Sequence, residues 1–157
     1  LEVLTLLQTG KRDIVPVVFL DEPGGDYWQG FQRFVESSLL RGGMIDADDL
    51  ALYKMTDRVD EAVKEIQQFF RVYHSMRYVQ DRLVLRLKEP LSDAHLDRIR
   101  EQFGDILVDG DYEQSDALPE ESGEPDLAHM PRLVFHFNRR SLGRLRMLID
   151  VINGRPE

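Results

Sequence analysis

The sequence predicts a mixed α/β chain in two parts, a strand–loop–helix unit of the kind that builds parallel sheets, followed by a small α+β unit of order β-α-β-β-α. Three observations carry this. Ile14-Val15-Pro16-Val17-Val18-Phe19-Leu20 is an apolar, β-branched run closed by Asp21-Glu22-Pro23-Gly24-Gly25-Asp26, the pattern of a strand buried on both faces. From Tyr27 the apolar residues Trp28, Phe31, Phe34, Val35 and Leu39 fall at helical spacing as far as Gly42-Gly43, so a helix is expected from Tyr27 to Leu40. Near Tyr73–Tyr78 the helical rhythm gives way to an extended one, and Arg82 to Lys88 alternates Leu83, Leu85 and Leu87 with Arg86 and Lys88. The expected domains are therefore residues 1–74 and 75–157.

Taken in order, Val3, Leu4, Leu6 and Leu7 form an apolar helical stripe that stops near Gly10. Because Leu1 already lies in that stripe, the chain is expected to continue a longer protein. After the first strand and helix, Asp46, Asp48 and Asp49 precede a short apolar group, which predicts one capped helical turn between Met44 and Leu52. Tyr53-Lys54-Met55-Thr56 reads as a brief strand, and Asp57 as the N-cap of a helix whose stripe is Val59, Ala62, Val63, Ile66, Phe69, Phe70 and Tyr73. In the second part, Ser92 caps a helix with Leu96, Ile99 and Phe103 inward and Leu91 as a hydrophobic staple. Ile106–Tyr112 reads as a strand, Glu113–Met130 as a long acidic loop, Leu133–Phe137 as a strand, and Ser141 as the cap of a last helix. With one more strand this order would be ferredoxin-like, an architecture used by small-molecule sensors and dimerisation modules.

Composition narrows the function classes. The 157 residues are 42% hydrophobic, enough for a real core, and carry a net charge of −9, which argues against a nucleic-acid-binding or anionic-membrane-binding surface. The absence of cysteine excludes disulfides, thiol catalysis and thiolate zinc sites, and suits a cytoplasmic location. No apolar run approaches the roughly 18 residues of a membrane span. The histidines His74, His95, His129 and His136 share no metal-ligand spacing, so no metal is expected, and no cofactor is implied.

Two stretches invite a ligand. In open α/β sheets the ligand crevice lies beyond the carboxyl ends of the strands, which points to the loop Asp21–Trp28. Pro23-Gly24-Gly25 could bring backbone N–H groups to a phosphate, but Asp26 would repel it, and an ordinary strand-to-helix turn is the preferred reading. Asp109, Asp111 and Glu113 mimic the start of a calcium loop, yet Gln114 stands where such a loop requires glycine. At the other end of the chain, Arg139, Arg140, Ser141 and Arg144 fall at a strand-to-helix junction, a possible anion site built from guanidinium forks and a helix N-terminus. The competing use of these arginines is to hold the acidic loop around Glu120, Glu121 and Glu124.

The first seventy or so residues resemble a known family. Glu2-Val3-Leu4-Thr5-Leu6-Leu7-Gln8-Thr9-Gly10-Lys11, then Pro16-Val17-Val18 with strand-end Asp21, then Gly25-Asp26-Tyr27-Trp28 opening a helix, is similar to the segment after the Gly-rich motif in Rossmann-like proteins of the LONELY GUY type. Members often carry the label lysine decarboxylase, but the family implies nucleoside 5′-monophosphate phosphoribohydrolases. The resemblance implies that residues 1–74 are the carboxy-terminal half of a Rossmann-like parallel-sheet domain. It implies a nucleoside monophosphate or related small anion as ligand, and a homodimer. The family hallmark P-G-G-x-G-T-x-x-E is not in the sequence, so its place is expected ahead of Leu1. No catalytic residue is assigned to this chain, which alone is expected to be inactive. Asp21, Tyr27 and Trp28, and less strongly Glu2, are the expected nucleotide-binding rim. The alternative is a non-enzymatic sensor or dimerisation module that binds an anionic effector through its carboxy-terminal domain.

Overall fold

The computed structural model describes residues Leu1–Gly154. It is a mixed α/β structure with a two-stranded parallel sheet and a four-stranded antiparallel sheet. One compact unit comprises Leu1–Gln68 with Arg140–Met147, and the other Phe69–Arg139 with the described residues 148–154. The sequence reading instead divides the chain at 74/75 and keeps 140–147 with the second part.

In the first unit, α1 (Glu2–Gln8) ends at Gly10, whose φ of +67° suits a glycine. Strand β1 (Val18–Leu20) pairs in parallel with β2 (Lys54–Thr56), Phe19 opposite Met55. The strand is shorter than expected and is not buried on both faces. Ile14 is buried, but Val18 and Phe19 are half-buried and Leu20 is 42% exposed, because one neighbouring strand and one helix layer cover only part of it. Helix α2 (Tyr27–Phe34) runs into a wider π turn over Val35–Leu40, with Arg41 N–H bonded to Glu36 O and Met44 N–H to Leu39 O. The expected helix span holds, and the widening turns Val35 fully inward. A 3₁₀ turn over Ala47–Leu52 has the expected acidic cap, Asp49 Oδ2 accepting Asp46 N–H at 3.0 Å. Helix α3 (Val59–Phe69) follows β2. The first turns of α5 (Leu142–Ile152) pack here, where Arg146 bonds Glu65 at 2.5 Å with both side chains buried.

The second unit begins with β3 (Tyr73–Val79), forming a hairpin with β4 (Arg82–Leu87). Helix α4 (Asp93–Gln102) is capped by Ser92, whose side chain accepts His95 N–H at 3.2 Å. Strand β5 (Glu113–Ser115) and β6 (Arg132–Phe135) complete the sheet in the order β3-β4-β6-β5. The strand expected at Ile106–Tyr112 is a correction. Ile106 closes a 3₁₀ turn, Leu107 makes a single bridge to Phe137, and pairing resumes only at Glu113. The cause is the Asp109-Gly110-Asp111 turn, with Gly110 at φ +69°, which lets Ile106 and Tyr112 both be buried without a continuous strand between them. One sheet face carries Leu83, Leu85, Leu133 and Phe135, all fully buried. The opposite face carries Val84 and Val134, directly paired, beside Arg86 and Arg132, also directly paired. Leu118 packs on the valines of this second face.

Candidate functional site

The carboxyl ends of β1 and β2 open on a crevice of about 360 Å³ lined by Phe19, Asp21, Gly24, Gly25, Trp28, Gln29, Met55, Thr56 and Asp57. Parallel pairing creates it, because both strands end at the same level and both chains leave the sheet there through an aspartate. Asp21 Oδ1 accepts Glu22 N–H at 2.9 Å and Oδ2 accepts Trp28 N–H at 3.3 Å, so its carboxylate fastens the loop to the first turn of α2. Asp57 Oδ2 accepts Gly24 N–H at 2.9 Å. This corrects the expected N-cap role of Asp57; Thr56 Oγ1 accepts Arg58 N–H and donates to Glu61 instead. The glycines therefore form a turn closed by carboxylates rather than a free phosphate cradle. Gly25 is required by space: a Cβ there would lie 2.5 Å from Asp21 Oδ1 and 2.9 Å from Glu22 O.

One wall is aromatic. Trp28 stacks on Phe19 with centroids 4.4 Å apart, Tyr27 meets Trp28 edge-on at 5.0 Å, and the indole N–H donates to Leu20 O at 3.1 Å. The lining contains no Lys, Arg or His, so nothing in it attracts a phosphoryl group. Two carboxylates and Thr56 beside stacked rings suit hydroxyl or amino donors and a flat apolar face.

The structure brings Asp21 and Trp28 together in this crevice; Tyr27 does not line it and is 74% exposed, in contact with Trp28. Glu2 is not brought to it; it lines a separate open depression with Lys11 and Arg12. Sequence reasoning missed Phe19, Thr56 and Asp57. The signal was present, since Asp57 follows β2 as Asp21 follows β1.

The expected anion residues have other engagements. Arg139, at φ +59°, lies 4.3 Å over the Tyr78 ring and donates to Gln80 O at 3.1 Å. Arg144 Nη1 points to Met147 Sδ at 3.8 Å; Arg140 is exposed and Ser141 half-buried just ahead of α5. The acidic loop is not held by these arginines. Glu121 bonds Arg86 Nε at 3.0 Å and Arg132 Nε at 3.1 Å, while Glu124 bonds Arg77 and Arg86. Burial raises the Glu121 pKa, and its bonds from Arg132, Leu118 N–H and Arg86 outweigh that, so the carboxyl sits below its ordinary 4.5. Among the described residues no group of three or more His, Cys, Asp or Glu is placed to hold a metal, and no helix is long and apolar enough to cross a membrane.

Fold and crevice define a mixed α/β protein whose first unit ends parallel strands at an acidic, aromatic-walled site. Residues 1–66 match the family model described as "Possible lysine decarboxylase", which overlaps the stretch that carries the LONELY GUY resemblance. No curated protein and no solved structure matches the chain.

Proposed function

We propose that this chain belongs to a cytoplasmic, homodimeric, Rossmann-like protein that hydrolyses the N-glycosidic bond of a nucleoside 5′-monophosphate, with an accessory α+β unit appended. The observation that carries this reading is the family match over residues 1–66, and the strand-end crevice supports it. Cleavage of a glycosidic bond builds positive charge on the ribose, so it needs a nearby carboxylate, a fixed phosphate and a held base. In this proposal Trp28 and Phe19 face the base, and Asp21, Asp57 and Thr56 meet hydroxyl or amino groups. The crevice lining has no cation, so the phosphate must be gripped elsewhere. The resemblance assigns that grip, and the catalytic Glu, to the Gly-rich motif P-G-G-x-G-T-x-x-E, which residues 1–157 do not contain. We also infer that the second unit is a permuted ferredoxin-like arrangement, in which the extra strand is β3, entering before β4 rather than after α5.

The test is release of free base and ribose 5-phosphate from a panel of nucleoside monophosphates. The 157-residue chain should release none, and a longer protein with the Gly-rich motif should release both. A longer protein that bears the motif yet turns over none of the panel refutes the hydrolase reading.

A further inference from the structure

The second unit contains a basic face with two acidic occupants that are held very differently. Arg77 on β3, Arg86 on β4 and Arg132 on β6 stand on the sheet face that carries Val84 and Val134. Glu121 is an anchor. Its side chain and that of Arg132 are 0% exposed, and it accepts from Arg86 Nε, Arg132 Nε, Arg132 Nη2 and Leu118 N–H. Glu124 is 40% exposed, and it meets both Arg77 and Arg86 through the single oxygen Oε2.

Arg77 meets Glu124 through Nη1, so most of its fork is left for another acceptor; Arg86 gives Nε to Glu121 and Nη1 to Ser75, and only its Nη2 is held by Glu124. A phosphate monoester offers three acceptor oxygens and close to two negative charges, which fits paired N–H donors better. Further partners lie at the same edge. Ser75 Oγ is 3.5 Å from Arg86 Nη1 and shares a 2.8 Å hydrogen bond with His74 Nδ1. Burial first, and then the nearby charges of Lys88, Arg86 and His129, lower the His74 pKa from its ordinary 6.5.

The segment carrying Glu124 is a surface turn held by local bonds, Glu124 N–H to Glu121 O at 3.0 Å and Leu127 N–H to Glu124 O at 3.1 Å. Ser122, Gly123, Pro125 and Asp126 are exposed. The posts on either side are fixed, Glu121 before it and the Leu127 and Met130 carbonyls, both bonded to Arg132 Nη1, after it.

We propose that Glu124 is the resident occupant of an oxyanion site formed by Arg77, Arg86 and Ser75, and that a phosphate monoester displaces it and frees the segment between Glu121 and Leu127. This stands apart from the hydrolase reading, since it concerns only the second unit. An internal occupant lowers apparent affinity by the fraction of time the site is vacant. Removing its charge must therefore tighten external binding.

The experiment is calorimetric titration of the full 157-residue chain with inorganic phosphate and with glycerol phosphate. Ionic strength is held fixed at about pH 7.5, above the second phosphate pKa of about 6. Hydrogen exchange of Gly123 and Glu124 is followed in parallel. Glu124→Gln should bind glycerol phosphate about tenfold more tightly than the parent. Arg77→Ala, at a side chain 35% exposed, should fold normally and bind about tenfold more weakly. Saturation of the parent should speed exchange in the segment. Phosphate binding alone, without glycerol phosphate binding, would overturn the monoester assignment. Equal affinity in the parent and Glu124→Gln, or binding indifferent to Arg77, would overturn the site. Faster exchange in Glu124→Gln without any anion binding would make Glu124 a tether only, and overturns it equally.

Discussion

Replacing Glu121 with Ala should destabilise the second unit more than any other single change in its acidic segment. The side chain is fully buried with Arg132, and Arg86 is 5% exposed. Deletion strands the buried Arg132 guanidinium without this counter-charge, leaves Arg86 with Glu124 in place of two carboxylates, and orphans the Leu118 N–H, which Glu121 Oε2 accepts at 3.0 Å. Breaking a buried pair by removing one partner costs about 3–5 kcal/mol, a large share of the roughly 5–15 kcal/mol that holds a domain. At roughly 4–8 °C per kcal/mol for a unit of this size, the melting temperature should fall by at least about 12 °C.

Urea unfolding followed by far-UV circular dichroism measures the loss directly. The pH dependence gives a second readout. The folded pKa of Glu121 lies below its ordinary 4.5, so its contribution is fully present above the unfolded pKa and disappears as pH falls through the folded value. The parent should therefore lose stability below about pH 4.5, and Glu121→Ala should lose less over the same range. A control separates charge from shape. Replacing Arg86, Glu121 and Arg132 together by apolar residues of similar volume should recover much of the loss. A cost under about 1 kcal/mol for Glu121→Ala, the level of an exposed pair, would refute the reasoning.

Other outcomes follow from the first unit. Gly143→Ala should destabilise although alanine is the better helix former by about 1 kcal/mol, because its Cβ would lie 2.2 Å from Asp48 O and 2.7 Å from Asp49 N, backbone atoms that cannot swing aside. A net loss of about 1–3 kcal/mol in urea unfolding is expected, and a gain would show that the close approach is not real. Gly25→Ala should disturb the Asp21 bonds to Glu22 and Trp28. Trp28 is the single tryptophan, so its emission maximum should shift red, and an unchanged spectrum would count against the loop geometry. Light scattering at micromolar concentration tests the proposed homodimer, for which a strictly monomeric mass is the adverse result.

Local chemistry was legible in this sequence wherever neighbours along the chain decide the structure. Ser92 caps α4, Asp46 and Asp49 close the 3₁₀ turn, and the spacing of Trp28, Phe31 and Val35 sets the inward side of α2 and the π turn, with Trp28 and Phe31 half-buried and Val35 buried. The crevice was legible in outline for the same reason, since an apolar run ending in aspartate and glycines marks a strand end. Its second carboxylate was not, because Asp57 looks like an ordinary cap until β2 is known to pair with β1.

The acidic loop shows a deeper limit. Its charges read as a solvated face, and an arginine in a strand reads as the exposed half of an alternation. Here Arg86 and Arg132 sit on strands whose two faces are both covered. Alternation then signals nothing about solvent; it states only which face a side chain takes. What decides burial is whether a counter-charge arrives from elsewhere, and Glu121 arrives at Arg86 from 35 positions away. A buried cation is tolerated only with such a partner, so two arginines inside apolar strands imply an acidic segment folded over them. That rule, applied to the sequence, would have paired the loop with β4 and β6 rather than with the arginines at 139–144.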